Sequence, residues 1–299
     1  MTRTVVARNI EDGAVRLLPL SMRIITHNIR YATETPFKGE ERWTIRCPRI
    51  CTQLAFNAVG PETFICLQEA LHHQLVDVVD ALNVAQPPQP GWSYIGVGRD
   101  DGRKGGEYSP IIYRPSIWHL TAWNTRWLST TPDKPSYGWD AANIRLVTIG
   151  RFTHIKTGKK VVICCTHFDH VGTKARRESA KLILQEIQAV TAQSEASAVI
   201  LAGDFNSTPD DDAYKTMTAT DSVMEDISSK VPAAKRYGNE LTFTSFGYVD
   251  NQAVRIDFVF ARKSDDLHYQ SFGVLANRFD DGVYLSDHRA CVADVVLKS

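Results

Sequence analysis

The segment AVILAGDFNSTPDDDAY (residues 198–214) decides the fold, because an apolar run in it ends on charged and polar side chains. Its continuous apolar start is typical of a strand that is covered on both faces. Burying the carboxylate of Asp204 or the amide of Asn206 would be costly unless each finds a partner. In an extended chain these two side chains point to the same side, while Phe205 points to the other. We therefore predict a buried strand that ends at a functional site.

Seven further runs rich in Ile, Val and Phe predict strands. They cover residues 22–29, 63–70, 109–114, 145–155, 160–168, 255–261 and 290–297. Apolar residues recur at three- and four-residue steps over 174–193, which predicts an amphipathic helix, and weaker patterns predict helices at 44–58 and 71–84. No linker rich in Pro, Gly or Ser divides the chain, so we expect one α/β domain over residues 21–299, after an N-terminal extension at residues 1–20.

The composition carries no electrostatic signature of a nucleic-acid or anionic-membrane binder. Lys and Arg number 34 and so do Asp and Glu, which gives a formal net charge of +0, and no polybasic run is present. The six cysteines lack the spacing of a zinc site, so we expect buried free thiols in a reducing compartment. We find neither the pattern of a signal peptide nor a run long enough to span a membrane, and we expect a cytoplasmic or other intracellular location.

Polar side chains stand at or just beyond the ends of several predicted strands. Besides Asp204 and Asn206, they are Asn28, Glu69, His167, Asp169, Asp257, Asp287 and His288. Singly, each has an ordinary explanation, such as a turn-forming Asn, a solvated Glu or a satisfied core histidine. Together they predict a cluster whose carboxylates would repel one another unless a cation lay among them. Such oxygen ligands suit Mg²⁺ or Mn²⁺ and the histidines can transfer protons, a combination that suits phosphate-ester hydrolysis.

The order of these motifs along the chain resembles the endonuclease/exonuclease/phosphatase superfamily over roughly residues 22–298. The motifs are NIR (28–30), LQE (67–69), THFDH (166–170), GDFN (203–206), IDFVF (256–260) and SDHR (286–289). WTIR (43–46) and KPSYGWDAANIR (134–145) are similar to a less characterised branch of that superfamily in microbes and fungi. The resemblance implies a four-layer α/β/β/α sandwich, with two central mixed β-sheets packed face to face and helices outside. The site would lie where loops of both sheets meet.

The resemblance also implies a divalent ion, Mg²⁺ or Mn²⁺. Asn28 and Glu69 would hold this ion, with Asp287 nearby. Asp204 would orient the attacking water, and Asn206 would contact the phosphate.

Further roles implied by the resemblance concern the histidines. His167 would contact the scissile phosphate, and Asp257 would pair with His288 and so fix its tautomer. Both Asp287 and His288 can serve the site if they lie in a loop before Ala290, because neighbours on a regular strand face opposite ways.

Substrate contacts are less sharply indicated. Asp169 and His170 complete the THFDH motif and are candidates for substrate binding. Arg145 is another candidate, although a structural ion pair would explain it equally well.

Two other segments leave alternatives open. Four of the six tryptophans fall within Trp118–Trp139. This segment is either a hairpin whose aromatic side chains cover the sheet or an aromatic wall at the mouth of the site. The glycine-rich segment 96–108 lacks the spacing of a phosphate-binding loop. We interpret it as a hairpin loop in which Arg99, Arg103 and Lys104 are possible phosphate contacts.

The sequence thus predicts a Mg²⁺- or Mn²⁺-dependent phosphoesterase. Because no basic run offsets the acidic site, we expect a small phosphorylated substrate, with cleavage of nucleic-acid phosphodiesters as the alternative. A catalytically inactive binding module and a hydrolase that acts on bonds other than phosphate esters are the remaining hypotheses. The choice between monoester and diester and the oligomeric state stay open.

Overall fold

The computed structural model describes residues 18–85 and 91–298, so residues 1–17 of the expected N-terminal extension lie outside the described residues. The described residues form thirteen strands. They are β1 (Leu20–Asn28), β2 (Thr63–Gln68), β3 (Ser93–Ile95), β4 (Ile111–Tyr113), β5 (Trp118–Trp127), β6 (Leu146–His154), β7 (Lys160–His167), β8 (Ala198–Asp204), β9 (Met224–Asp226), β10 (Arg236–Gly238), β11 (Asp257–Arg262), β12 (Leu267–Val274) and β13 (Cys291–Leu297). The α-helices are α1 (Trp43–Asn57), α2 (His72–Ala85), α3 (Thr173–Ser194), α4 (Asp212–Thr218) and α5 (Ile227–Lys230).

The strands form two mixed sheets. One sheet has seven strands in the order β10-β12-β13-β1-β2-β4-β3, and the other has six in the order β5-β6-β7-β8-β11-β9. A parallel pair lies inside each sheet, β1 with β2 and β7 with β8. The strands that flank these pairs run antiparallel to them. The two parallel pairs carry four of the predicted polar strand ends.

Three hydrophobic clusters lie between adjacent layers of the molecule. Between the sheets, Ile24 and Phe64 of the seven-stranded sheet pack with Ile163 and Ile200 of the six-stranded sheet. A second cluster joins α1 and α2 to the outer face of the first sheet, and a third joins α3 and α4 to the outer face of the second. These layers are the α/β/β/α sandwich that the resemblance implies, so the predicted fold class is confirmed.

Strand β8 explains why the segment 198–214 begins with a continuous apolar run. Ile200 and Ala202 pack in the cluster between the sheets, whereas Val199 and Leu201 pack in the cluster that includes α3. All seven residues of the strand are buried. The expectation of a strand covered on both faces is therefore confirmed.

Strand β12 is an eight-residue element that the sequence pattern did not predict. Its sequence, LHYQSFGV, mixes polar and apolar residues, and the pairing register with β13 shifts between Tyr269 and Ser271. Leu267, Phe272 and Val274 nevertheless pack between the sheets. A bulge changes the face to which later side chains point, so periodicity alone hides such a strand.

Two expectations from composition can be compared with the structure. All six cysteines are free, and five are buried, but Cys47 on α1 is half-buried. The expectation of free thiols is confirmed, and that of complete burial is wrong for Cys47. Among the described residues, no helix is both long and apolar enough to cross a membrane.

Candidate active site

The polar residues at the strand ends converge on one cavity of about 480 Å³. Parallel neighbours in a sheet end at the same edge, so the ends of β1 and β2 lie together, as do those of β7 and β8. The predicted residues that line the cavity are Glu69, Arg145, His167, His170, Asp204, Asn206, Asp287 and His288. Asn28, Asp169 and Asp257 are buried and lie outside this lining.

Backbone strain marks three of the strand ends. Arg30, Glu69 and Asn206 have φ values of 57°, 60° and 45°, in the left-handed region that residues other than glycine rarely adopt. Arg30 and Asn206 follow strands that end on the predicted residues Asn28 and Asp204, and Glu69 is itself a predicted residue directly after β2. Such a conformation costs about 1–3 kcal/mol and is often concentrated at functional sites. The strain lets the chain turn immediately after β1, β2 and β8.

Glu69 and Asp287 are two half-buried carboxylates that line the cavity. Burial raises the pKa of Asp287, and the negative charge of Glu69 adds to that rise. Burial alone would also raise the pKa of Glu69, but Arg30 and the amide of Asn28 hold it below its ordinary value. Two half-buried carboxylates that repel each other, both hard oxygen donors, fit a divalent ion such as Mg²⁺ or Mn²⁺.

Asn28 lies between Glu69, which follows β2 of the seven-stranded sheet, and Asp204, which ends β8 of the six-stranded sheet. Its Nδ2 donates to Glu69 Oε1 and to Asp204 Oδ2, at 3.0 Å each, and its Oδ1 accepts from the backbone N–H of Arg30. The amide nitrogen, rather than the oxygen, therefore faces the carboxylates. A cation would bind the amide oxygen, which here accepts from the backbone N–H of Arg30. The role of Asn28 as an ion ligand therefore stays a prediction.

His288 is held between two carboxylates of the other sheet. Its Nδ1 donates to Asp257 Oδ2 at 2.8 Å, and its Nε2 lies 3.6 Å from Asp204 Oδ2. Burial alone would lower the pKa of His288, but the charges of Asp257 and Asp204 raise it well above its ordinary value. The imidazole is therefore a cation that faces the cavity, in the pairing with Asp257 that the resemblance implies.

Asp204, Asp257 and His288 are also the group of acidic and His side chains in the described residues whose ligand atoms lie within 4.8 Å of one another. A cation there would have to displace a 2.8 Å hydrogen bond and deprotonate the imidazole. Burial and the charge of Asp257 raise the pKa of Asp204 to about 7. The chemistry of this group therefore suits proton transfer, and the carboxylates of Glu69 and Asp287 suit a divalent ion.

His167 differs from His288 because its neighbours are cationic. Arg145 Nη1 donates to His167 Nδ1 at 2.9 Å, and His167 Nε2 lies 3.4 Å from Asp204 Oδ2. Burial and the Arg145 guanidinium together lower the pKa of His167 well below its ordinary value. Asn206 Nδ2 lies 3.0 Å from the same Nε2. The structure thus brings His167, Asn206 and Arg145 together beside Asp204.

Asp169 has a structural environment. Its carboxylate accepts four backbone N–H bonds, from Ala142, Asn143, Val171 and Gly172. These bonds fix the loop that precedes β6 against the start of α3. Asp169 is 2% exposed and does not line the cavity, so its predicted direct contact with substrate has no geometric support. His170 does line the cavity, with Nδ1 3.5 Å from Arg145 Nη2.

Glu107 is a cavity residue that the sequence reasoning missed. Its Oε2 lies 2.5 Å from Arg99 Nη1, 3.6 Å from Arg145 Nη1 and 3.9 Å from His167 Nδ1. Burial raises the pKa of Glu107 to about 7, even though two guanidinium groups oppose the shift. The one available signal was a charged residue directly before the apolar strand region 109–114, which resembles an ordinary loop residue.

The glycine-rich loop contributes less to the cavity than expected. Arg99 lines the cavity, and its Nη2 also donates to Asn143 Oδ1 at 3.2 Å. Arg103 and Lys104 do not line it, so their suggested phosphate contacts have no support in this geometry. Tyr31 and Phe243 are aromatic lining residues that no sequence motif indicated.

The tryptophan-rich segment does not form an aromatic wall at the site. Trp118 is buried between the sheets in β5, and Trp127 Nε1 donates to the backbone oxygen of Arg99 at 2.8 Å. Trp123 is 43% exposed. Among the described residues, no tryptophan lines the cavity. The segment 118–127 is an edge strand paired with β6, which supports the covering role.

Comparisons with known proteins give the same fold. A solved endonuclease/exonuclease/phosphatase from Bacteroides vulgatus is 34% identical, with a TM-score of 0.81, over 93% of this chain and 100% of that one. A mannosyl-6-phosphatase from Bacteroides thetaiotaomicron is 31% identical, with a TM-score of 0.80, over 92% of this chain and 100% of that one.

A third relative is an uncharacterised protein of Acanthamoeba polyphaga mimivirus. It is 35% identical over 99 residues, which are 32% of this chain and 36% of that protein. Residues 25–288 match the sequence profile of the Endonuclease/Exonuclease/phosphatase family. This match covers most of the chain and includes the predicted motifs in order. The chain therefore belongs to the endonuclease/exonuclease/phosphatase family, whose members are hydrolases of phosphate esters.

Proposed function

We propose that the chain is a divalent-metal-dependent phosphoesterase that acts on a small phosphorylated substrate. One observation carries the proposal. A single cavity holds the Glu69–Asp287 pair on one side and Asp204 between two imidazoles on the other. When bound, Mg²⁺ or Mn²⁺ would supply charge neutralisation at the phosphoryl oxygens.

Asp204 is the proposed base. Its oxygens lie near His167 Nε2 and His288 Nε2, and its pKa of about 7 suits a group that accepts a proton from water near neutral pH. Asn206 donates its backbone N–H to Asp204 Oδ1 at 2.8 Å and so fixes the orientation of the carboxylate. A water held by Asp204 would attack the phosphorus in line with the leaving group.

His288 and Arg145 supply the proposed positive charge around the phosphoryl group. Asp257 keeps the His288 imidazole protonated and oriented through the 2.8 Å bond. Arg145 is buried, carries its charge permanently and directs Nη1 to His167. Donors fixed in a buried cavity stabilise developing charge without reorganising during the reaction.

The size and charge of the site favour a small substrate over a duplex. A cavity of about 480 Å³ matches a single phosphorylated group with a compact body. The mannosyl-6-phosphatase relative, at 31% identity, makes phosphorylated sugars the first compounds to assay. The second candidate is a nuclease, which Arg99 at the cavity wall would favour as a backbone contact.

The experiment is an activity panel with Mg²⁺ or Mn²⁺, and with EDTA as the metal-free condition. The substrates are mannose 6-phosphate, p-nitrophenyl phosphate, bis-p-nitrophenyl phosphate and plasmid DNA over a salt series. We expect metal-dependent phosphate release from the small esters and poor cleavage of DNA. Efficient plasmid cleavage that falls steeply with salt would favour the nuclease. Turnover of none of these esters by the metal-loaded protein would favour a binding module.

A further inference from the structure

Arg46 on α1 is a buried cation whose position is explained by two loops of the active site. Its side chain is fully buried. The guanidinium donates to four backbone oxygens, those of Glu41 at 2.9 Å, Ile29 at 2.7 Å, Leu285 at 2.9 Å and Arg30 at 3.1 Å. A planar group with five donors is needed to reach so many acceptors at once.

The accepting carbonyls flank two predicted ion ligands. Ile29 directly follows Asn28, and Leu285 stands two residues before Asp287. One nitrogen of Arg46, Nη1, donates to both of these carbonyls. The distance between the loop after β1 and the loop before β13 is therefore fixed by a single atom of a third element.

The sheet itself does not hold these loops to each other. The β1–β13 ladder ends at the pair Thr26 and Cys291, so Asn28 and Asp287 both lie beyond it. The loops are also linked directly by Ser286 Oγ, which donates to the backbone oxygen of Asn28 at 2.7 Å, and by Asn28 Nδ2, which lies 3.5 Å from His288 Nε2. Arg46 and Ser286 thus connect the loops at the level where the β-ladder no longer does.

The turn at Arg30 needs the same support. Its φ of 57° is strained, and the carbonyl of Arg30 accepts from Arg46 Nη2 and from Gln74 Nε2. Arg30 also lies 3.9 Å from Glu69, and Glu40, which is buried, lies near both Arg30 and Arg46. A strained conformation persists only where its surroundings hold it in place.

We infer that Arg46 is a positioning residue which, with Ser286 as the lesser link, sets the spacing of Asn28 and Asp287 and thereby the affinity for the divalent ion. The inference rests on the proposed function. Arg46 touches neither the cavity nor the substrate. Arg46 acts on the ion ligands through the backbone of both loops. Residues that hold metal ligands in place without touching the metal commonly tune its affinity in this way.

The test measures Mn²⁺ binding by titration calorimetry on the metal-free protein. Arg46→Lys keeps the positive charge but loses the planar fork of donors. Ser286→Ala removes the lesser link together with the 3.2 Å contacts of its Oγ with Asp287 Oδ1 and the backbone N–H of His288, without unpairing a fully buried cation. Arg49→Met, three residues along the same helix, is the matched control, because Arg49 pairs with Asp281 in a partly exposed ion pair. Circular dichroism establishes that each variant is folded at the titration temperature.

We expect Arg46→Lys to weaken Mn²⁺ binding about tenfold or more, Ser286→Ala to weaken it less, and Arg49→Met to bind like the parent. In the metal-free proteins, amide hydrogen exchange of residues 28–31 and 284–288 should be faster in Arg46→Lys than in Arg49→Met. The value of kcat at saturating metal should fall much less than metal affinity does.

Parent-like Mn²⁺ affinity in a folded Arg46→Lys protein would overturn the inference, whatever its melting temperature. If Arg46→Lys does not fold, parent-like affinity in Ser286→Ala would overturn it instead. These outcomes leave the proposed function intact. A parent that binds no Mn²⁺ would remove the proposed metal dependence, and the inference with it.

Discussion

Glu69 and Asp204 are two carboxylates that line one cavity, and their environments move their pKa values in opposite directions. Glu69 follows β2 of the seven-stranded sheet, where Arg30 and Asn28 outweigh burial and lower its pKa. Asp204 ends β8 of the six-stranded sheet, where burial and the charge of Asp257 raise its pKa to about 7. Carboxylates whose environments separate their pKa values commonly have separate roles. The proposed ion ligand therefore follows a strand of one sheet, and the proposed base ends a strand of the other.

The two cavity histidines show the same division. His288 is paired with Asp257, and the acidic groups around it outweigh burial and keep it protonated. His167 lies against Arg145, so burial and a like charge both keep it neutral. Asp204 lies within 3.6 Å of both imidazoles. The carboxylate of Asp204, the proposed proton acceptor, thus lies between the cationic imidazole of His288 and the neutral imidazole of His167.

The largest effect should come from replacing the proposed base. Asp204→Asn removes the proton acceptor while keeping shape, so we expect kcat to fall about 10²–10⁴-fold. The measurement is kcat on the best small phosphoester at saturating Mg²⁺. Asp221→Asn, an exposed residue outside the cavity, is the matched control and should behave like the parent. If Asp204→Asn turned over as fast as this control, Asp204 would not be the base.

The next effect concerns the pair formed by His288 and Asp257. His288→Ala and Asp257→Asn should each lower kcat/KM about 10²-fold, because both remove the oriented imidazolium. The double variant should be little worse than either single variant, since residues that act as one unit lose activity non-additively. Kinetics of the three variants at fixed Mg²⁺ provide the check. Defects that simply multiplied would indicate that the two side chains work independently.

A smaller effect on stability should distinguish Asp169 from both cavity carboxylates. Although burial alone would raise it, backbone N–H groups led by that of Gly172 hold the pKa of Asp169 below its ordinary value. The ionised form therefore stabilises the fold above pH 4, and this contribution is lost as pH falls through the lowered folded-state pKa. Asp169→Asn should cost about 1–3 kcal/mol at pH 7.

Denaturant unfolding at pH 7 and at acid pH would measure that difference. The gap between Asp169→Asn and the parent should shrink in acid, where Asp169 itself becomes protonated. Mn²⁺ affinity should stay like that of the parent. A variant with unchanged stability but weakened metal or substrate binding would return Asp169 to the site.

The convergence of the polar strand ends on one site could largely be predicted from sequence. Apolar runs that end on polar residues place Asn28, Glu69, His167 and Asp204 at the ends of parallel strands, and parallel neighbours end at one edge. Asp287 and His288 belong to the last of the six motifs, which directly precedes the final predicted strand. These signals are local, and the fold needs only to bring the strand ends together.

Other features could not be predicted because they depend on contacts between distant segments. Glu107 enters the cavity through Arg99 and Arg145 and resembles a loop residue in sequence. The bulge in β12 hides its periodicity. The four N–H groups around Asp169 come from two loops that only the folded chain brings together.

Mn²⁺ titration of Glu69→Gln and Asp204→Asn tests the proposal that Glu69 binds the ion whereas Asp204 accepts the proton. A neutral amide replaces a charged oxygen in both variants, so the chemical change is matched. We expect Glu69→Gln to weaken Mn²⁺ binding about 10–100-fold and Asp204→Asn to bind close to the parent. The reverse order would place the ion among Asp204, Asp257 and His288 and contradict the account.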